Sequence, residues 1–154
     1  MTAVDKWNTR YLGSELVWSK TANVEFVRQV ADLVPGRALD LGSGEGRNAI
    51  WLAQQGWHVS AVDFAEAGIN KARQLASEKD ADKIEVNWIV SDVCGYHDEA
   101  GFDLVVIMYL HTSQSERDHW LPSAINMVRP GGVFLYIGHD PKNISHGVGG
   151  PQVP

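Results

Sequence analysis

One stretch of the chain constrains the fold more than any other. Residues 38–53 form a short apolar run that ends in an acid, followed by closely spaced glycines and then by an amphipathic pattern. This order predicts a strand, a tight turn and a helix. Glycines at 42, 44 and 46 let the backbone turn sharply and approach a ligand without a β-carbon in the way. The following helix start offers unpaired N–H groups, so the stretch predicts a site for a small, nucleoside-like ligand.

The spacing of this glycine turn favours one class of ligand over another. Dinucleotide-binding turns read G-x-G-x-x-G, whereas this turn reads G-x-G-x-G and has Arg47 in the next position. Asp40 stands two residues before Gly42, where a carboxylate would repel a pyrophosphate and attract an ammonium group. S-adenosylmethionine carries that ammonium and no phosphate. The pattern therefore favours S-adenosylmethionine over NAD, with a glycine-rich turn that binds nothing as the remaining alternative.

Length, charge and cysteine content predict one domain that binds a small molecule. The 154 residues fall in the range of a single domain, and no linker or repeat divides them. The net charge is −6 and the 13 basic residues are scattered, which indicates neither a nucleic-acid partner nor an anionic membrane surface. Cys94 is the single cysteine, so an intramolecular disulfide is excluded. No apolar run approaches the ~20 residues that cross a bilayer, and the N-terminus lacks a signal-peptide core, so we expect a cytoplasmic protein.

Strands and helices alternate along most of the chain. We predict strands near residues 37–41, 58–63, 84–90, 102–108 and 132–139, and helices near residues 23–33, 46–55, 65–78 and 115–128. This alternation predicts a parallel α/β sheet with helices on both faces. The Ser113-x-x-Glu116 spacing indicates a capping box, and residues 129–132 predict a helix stop and a turn into the last strand.

The two ends of the chain carry separate expectations. Residues 1–22 are predicted as an irregular, aromatic-rich segment, and residues 140–154 as an irregular tail. A sheet that stops after its fifth parallel strand leaves that strand as an unprotected edge. We expect either that the chain is a shortened form of a longer protein or that a partner subunit, as in a homodimer, protects this edge.

Acidic residues follow three neighbouring strands of the predicted sheet. Asp40, Asp63 and Asp92 would repel one another without a ligand or solvent between them. Ligands of open parallel sheets bind beyond the carboxyl ends of the strands, so we interpret these acids as hydrogen-bond acceptors. Asp63 is placed for a ribose diol. Asp92 is placed for an adenine amino group between apolar walls from Val93 and Phe64, with an Asx turn as its structural alternative.

The motifs together resemble those of class I S-adenosylmethionine-dependent methyltransferases. The similarity rests on residues 38–53, 62–64, 91–93, 102–106 and 128–132. More narrowly, residues 44–49, the opening 7–11 and the ending 138–140 with 149–152 resemble the small bacterial methyltransferases related to tellurite-resistance and thiopurine methyltransferases. The resemblance implies a Rossmann-like, doubly wound sheet with strand order 3-2-1-4-5. It departs at Ser43, where that group often has cysteine, and in the C-terminal antiparallel hairpin, which is missing here.

Carried over position by position, the resemblance implies the cofactor-binding residues. Asp40, Gly42 and Gly44 would surround the methionine portion of S-adenosylmethionine, with Met108 and Tyr109 beside it. Arg47 and Asn48 would contact the cofactor or, alternatively, face solvent or cap the helix. The full predicted set is Asp40, Gly42, Ser43, Gly44, Arg47, Asn48, Asp63, Phe64, Asp92, Val93, Met108 and Tyr109.

Methyl transfer from a sulfonium mainly requires alignment of nucleophile, methyl carbon and leaving sulfur. A thiol or a metalloid oxyanion needs little help from a base, whereas an oxygen or nitrogen acceptor needs a proton acceptor near the site. His111 and His139, at the ends of the fourth and fifth strands, are the candidate catalytic residues. Their structural alternative is ordinary hydrogen bonding at a strand end.

The aromatic residues of the N-terminal segment are candidates for a substrate lid. Trp7, Tyr11 and Trp18 would exclude water and place aromatic faces near the sulfonium charge, or would serve only as core packing. We predict no metal site, because the group formed by His111, His139, Asp140 and His146 lacks a metal-ligand motif. The competing functions are an NAD-dependent oxidoreductase and a domain that binds the cofactor without transferring a methyl group. The acceptor itself is not identified by the sequence.

Overall fold

The computed structural model describes residues 1–13, 15–80, 84–140 and 142. From residue 23 onward, the helices and strands of the described residues follow one another in the order that the sequence pattern predicts. In chain order the elements are α1 (Ala3–Tyr11), α2 (Val24–Val30), β1 (Arg37–Leu41), α3 (Arg47–Gln54), β2 (His58–Asp63), α4 (Glu66–Asp80), β3 (Val86–Val90), β4 (Phe102–Met108), α5 (Gln114–Asn126) and β5 (Val128–Ile137).

The strands form one parallel sheet in the order β3-β2-β1-β4-β5. This confirms the predicted Rossmann-like fold and its strand order. Successive side chains of the central strand point to opposite faces of the sheet, so this strand packs against helices on both sides. Ala38 packs with α2 and α3 on one face, and Leu39 and Leu41 pack with α5 on the other. The strand order reverses at β1, which therefore opens a crevice at its carboxyl end.

The bounds of β1, β2 and β4 agree with the prediction, whereas β5 does not begin where the sequence pattern placed it. The segment predicted as a turn, residues 129–132, lies inside β5. It forms an irregularity there: Phe102 pairs with Val128, and Leu104 pairs with Val133. Gly131 takes a left-handed φ of 81°, so the extra residues bulge from the ladder while the strand continues. The sequence signals for a turn and for a glycine-containing bulge are the same.

The prediction of an irregular N-terminal segment is wrong for its first half, because residues 3–11 form α1. Thr2 caps this helix: its hydroxyl accepts the backbone N–H of Asp5, and the Asp5 carboxylate accepts the N–H of Thr2. Such a reciprocal pair satisfies two donors at a helix start. The Thr-x-x-Asp spacing was the signal available in the sequence. The helix α1 places Trp7 and Tyr11 one above the other on the same face.

Several smaller features complete the description. The helix predicted for residues 23–33 ends earlier, at Val30, and the third strand begins at Val86. Across the described parts of the chain, no helix is long and apolar enough to cross a membrane, and no group of three or more His, Cys, Asp or Glu could hold a metal ion. Of the predicted tail, residues 140 and 142 are described. His146 and residues 149–152 lie outside the described residues.

Candidate functional site

A cleft of about 700 Å³ opens at the carboxyl ends of the strands, where the strand order reverses. It is lined by the glycine turn, by the ends of β2, β4 and β5, by the loop after β3, and by the N-terminal segment. Nearly every residue predicted for the site lies on its walls. These residues are Trp7, Tyr11, Trp18, Gly42, Ser43, Gly44, Arg47, Asn48, Asp63, Phe64, Asp92, Val93, Met108, Tyr109, His111 and His139. Asp40 does not reach the walls and is buried, with 1% of its surface exposed.

The glycine turn between β1 and α3 is shaped by its backbone. The N–H groups of Gly42 and Ser43 both donate to the carbonyl oxygen of Val62, at 2.8 and 3.0 Å. Gly44 and Gly46 have φ values of 53° and 75°, in the left-handed region that favours glycine. A β-carbon on Gly44 would stand 2.8 Å from the Tyr11 hydroxyl. The turn therefore leaves no room for a side chain at this position.

Asp40 is a buried carboxyl group without full hydrogen bonding. Its Oδ2 has no partner among the described residues, and neither has the Oγ of Ser43. Burial, reinforced by the nearby Asp63 charge, raises the pKa of Asp40 to about 7, while Arg47 and the Ala49 N–H oppose the rise. Because buried polar atoms are normally satisfied, this orphaned acceptor fits a ligand that brings a cationic donor to the turn.

Two further acids at the strand ends accept backbone hydrogen bonds. The Asp63 carboxylate accepts the N–H groups of Gly44 and Ala65, each at 2.8 Å. Burial raises the pKa of Asp63, and these two donors counteract it. Asp92 accepts the N–H of Cys94 at 2.8 Å, which is the Asx turn anticipated as its structural alternative. Each carboxylate keeps lone pairs beyond these bonds, and both line the cleft.

The two histidines predicted as catalytic residues lie against each other. Their rings stack with centroids 5.3 Å apart and 12° between planes, and the Tyr109 ring lies 4.8 Å from that of His139. Burial lowers the pKa of His111, and the neighbouring His139 and Arg10 lower it further. The lowered pKa favours the neutral form of His111, and a neutral imidazole offers one nitrogen that can accept a proton.

The aromatic residues predicted as a lid form one wall of the cleft. Trp7 and Tyr11 stack with centroids 5.5 Å apart, and the indole N–H of Trp18 donates to the Tyr11 hydroxyl at 3.4 Å. Tyr11 is 4% exposed, so it also packs in the core. Trp18 is 36% exposed and contributes little to the core. Core packing thus applies to Tyr11, and the role of these residues as a lid stays a prediction.

Polar side chains at the start of α3 are directed to the N-terminal segment. Arg47 donates to the Ser19 hydroxyl at 2.9 Å, and the Asn48 side-chain oxygen accepts the N–H of Asn23 at 2.9 Å. Both residues line the cleft, but their resolved partners are structural. Their contact with a cofactor stays a prediction. The sequence interpretation missed the residue between the second and third glycines, Glu45, which is 2% exposed.

Comparison with known protein families gives the relationship of the chain. Residues 38–132 match the family described as a methyltransferase domain, and this range is more than half of the 154 residues. The chain belongs to the methyltransferase domain family. The match begins in β1 and ends within β5. It therefore covers the glycine turn and most of the cleft, and leaves the N-terminal segment outside.

Similar proteins are methyltransferases of several kinds. The chain is 29% identical over 133 residues to a demethylmenaquinone methyltransferase of Clavibacter sepedonicus, covering 85% of this chain and 51% of the relative. It is 29% identical over 110 residues to the tRNA 5-carboxymethoxyuridine methyltransferase of Escherichia coli K12, covering 70% of this chain and 42% of the relative. The chain therefore spans about half the length of these relatives.

Solved structures include a similar protein with a ligand. The glycopeptide N-methyltransferase MtfA, in complex with S-adenosyl-L-methionine, superposes with a TM-score of 0.62 and is 25% identical. The alignment covers 72% of this chain and 50% of that protein. The methyltransferase domain described here thus has the fold on which MtfA holds its cofactor.

Proposed function

We propose that this chain binds S-adenosylmethionine in the cleft and transfers its methyl group to a small-molecule acceptor. The observation that carries the proposal is the buried, unpartnered Oδ2 of Asp40 beside a turn whose glycines exclude side chains. The buried carboxylate attracts a cationic amino-acid group bound at the turn and repels a diphosphate. The complex of MtfA with the same cofactor supports the proposal.

The assignment of residues follows the cleft from one end to the other. The buried Asp40 carboxylate attracts the ammonium group of the cofactor electrostatically. Asp63 accepts from the ribose hydroxyls with the lone pairs left free by its backbone donors. Asp92 accepts from the adenine amino group. The remaining cofactor contacts come from Gly42, Ser43, Gly44, Arg47, Asn48, Phe64, Val93, Met108 and Tyr109. When bound, the cofactor supplies an electrophilic methyl group on its sulfonium.

The acceptor side of the cleft is formed by the histidine pair and the aromatic wall. Neutral His111, next to His139, takes the proton of an oxygen or nitrogen acceptor. A thiol or a metalloid oxyanion needs no such base, and these are the acceptors that the resemblance to the tellurite-resistance and thiopurine methyltransferases favours. Trp7, Tyr11 and Trp18 exclude water from the reacting atoms. A small acceptor is favoured over tRNA because the net charge is −6 and the basic residues are scattered.

The organisation of the protein is part of the same proposal. Residues 1–154 act as one domain, with 1–22 as a lid segment and 140–154 as a tail. The edge strand β5 pairs with a second subunit in a homodimer. We place the enzyme in the cytoplasm, as the sequence predicts.

Calorimetry with two ligands tests the cofactor assignment. S-adenosylhomocysteine is expected to bind the purified chain and to raise its melting temperature, and NADH is expected to do neither. Asp63→Asn keeps one side-chain oxygen that can accept a backbone N–H, and should weaken the binding of S-adenosylhomocysteine. Binding of NADH alone would make the chain an oxidoreductase domain. The acceptor is then sought with radiolabelled S-adenosylmethionine and a panel of thiols, amines, metalloid oxyanions and unmodified tRNA. Binding without transfer to any of them would leave a cofactor-binding domain.

A further inference from the structure

Glu45 occupies the middle of the glycine turn, and its carboxylate is buried. Its two oxygens accept one backbone N–H each, from Val17 and from Trp18, both at 3.1 Å. The ammonium of Lys71 lies 3.3 Å from Oε1 of Glu45, and the side chains of Glu45 and Lys71 are 3% and 17% exposed. Lys71 also donates to the carbonyl oxygen of Glu15 at 2.6 Å. A buried carboxylate is therefore fully paired here, which is the condition under which such a charge is tolerated.

The segment held by Glu45 has little apolar packing of its own. Residues 15–22 contain no buried side chain, and Trp18 lies between two cavities, the cleft and a second one of about 480 Å³ that Lys71 also lines. Apolar packing of this segment is limited to the partly buried Leu16 and Ala22 at the margin of the core. Its position therefore also depends on polar contacts, of which those to Glu45 and to the Tyr11 hydroxyl are partly buried.

The contacts of Trp18 connect this segment to the cofactor turn. The Trp18 N–H is bonded to Glu45, and its indole N–H is bonded to the Tyr11 hydroxyl. That hydroxyl lies 2.8 Å from the position that a β-carbon on Gly44 would take. Glu45, Trp18 and Tyr11 thus form a ring of contacts that begins and ends at the glycine turn.

We propose that Glu45 is a positioning residue, which fixes the Trp18 segment over the cleft and so determines how long the cofactor stays bound. The inference rests on the proposed cofactor site. Glu45 acts through Val17 and Trp18 and touches no reacting atom. Its loss is expected to affect retention of the cofactor more than the rate of transfer from a bound one, because the histidine pair and the acids of the strand ends remain in place.

Glu45→Gln separates this role from a general loss of stability. The substitution puts an amide donor where one carboxylate oxygen accepted an N–H. In the ligand-free variant, amide hydrogen exchange at Val17 and Trp18 should become about tenfold faster, as expected when a hydrogen bond to a charged group is lost. With ligand, dissociation of S-adenosylhomocysteine should accelerate, and KM for S-adenosylmethionine should rise with little change in kcat.

Two further variants complete the test. Glu25→Gln changes an exposed carboxylate of α2, whose side chain is 47% exposed, and should alter neither exchange nor dissociation. Glu45→Gln with Lys71→Met removes both charges of the buried pair, and serves if the single variant does not fold. Unchanged exchange at Val17 and Trp18 in both variants would show that Glu45 does not position this segment. Faster exchange with unchanged dissociation of S-adenosylhomocysteine would overturn the role of Glu45 in retention. Wild-type protein that binds no S-adenosylhomocysteine would refute the proposed function, while the exchange measurement would still test whether Glu45 positions the segment.

Discussion

The substitution Asp40→Asn should stabilise the ligand-free protein above neutral pH. In the folded state burial raises the pKa of Asp40 from its ordinary 3.8 to about 7. Between these values the folded protein holds a proton that the unfolded chain has lost, so the free energy of unfolding falls as pH rises. Between the two pKa values, each pH unit lowers the free energy of unfolding by about 1.4 kcal/mol, which amounts to about 4 kcal/mol by pH 8. This penalty is absent below pH 4 and complete above pH 7.

Asparagine at position 40 removes the titrating carboxyl group and lowers the free energy of unfolding by a smaller amount. Its amide stays neutral at every pH, but the NH₂ that replaces the unpartnered Oδ2 costs about 1–3 kcal/mol if it finds no acceptor. We therefore expect a net gain of about 1–3 kcal/mol at pH 8, which disappears near pH 5. Urea unfolding of both proteins at pH 5, 6.5 and 8 measures the difference. Subtracting one profile from the other removes the groups that titrate in both, although Asp63 is coupled to Asp40 and shares part of the effect.

The same substitution should weaken cofactor binding, so stability and affinity change in opposite directions. An ammonium placed near Asp40 favours its ionised form, and binding at pH 6 should therefore release a proton. Calorimetry of S-adenosylhomocysteine binding in buffers of different ionisation enthalpy detects that proton in the wild type and not in Asp40→Asn. Parallel pH profiles of unfolding for the two proteins would refute the argument, because they would mean that Asp40 titrates alike in the folded and unfolded states.

Three other substitutions test separate parts of the structure. Gly46→Ala should destabilise the fold by about 1–3 kcal/mol, because φ is 75° and the new β-carbon would stand 2.6 Å from the Trp88 ring; an unchanged melting temperature by circular dichroism would contradict this. Ser113→Ala removes the cap of α5 and should cost about 1 kcal/mol in urea unfolding, with Ser123→Ala in the same helix as the control. Trp18→Ala should weaken binding of S-adenosylhomocysteine while the domain stays folded. Equal calorimetric affinities for the wild type and the variant would contradict the lid role of Trp18.

The sheet could be predicted closely because its central strands are buried on both faces. Such strands appear in the sequence as largely apolar runs, and the bounds of β1, β2 and β4 follow from this pattern. The edge strand β5 was predicted less well, since its glycines suit a bulge and a turn alike. The helix α1 was missed because its cap, Thr2, preceded a segment interpreted only through its aromatic residues.

The sequence by itself determined the parallel α/β fold, the glycine turn and the set of residues gathered at the cleft. Each of these depends on local spacing, and parallel strands bring their carboxyl ends to one edge whatever the details of packing. Only the tertiary structure decided the state of those residues. Three features depend on contacts between residues far apart in the chain: Oδ2 of Asp40 has no partner among the described residues, His111 and His139 stack, and Glu45 holds the Trp18 segment. Burial and pairing of a polar group are properties of its surroundings, which no local pattern contains.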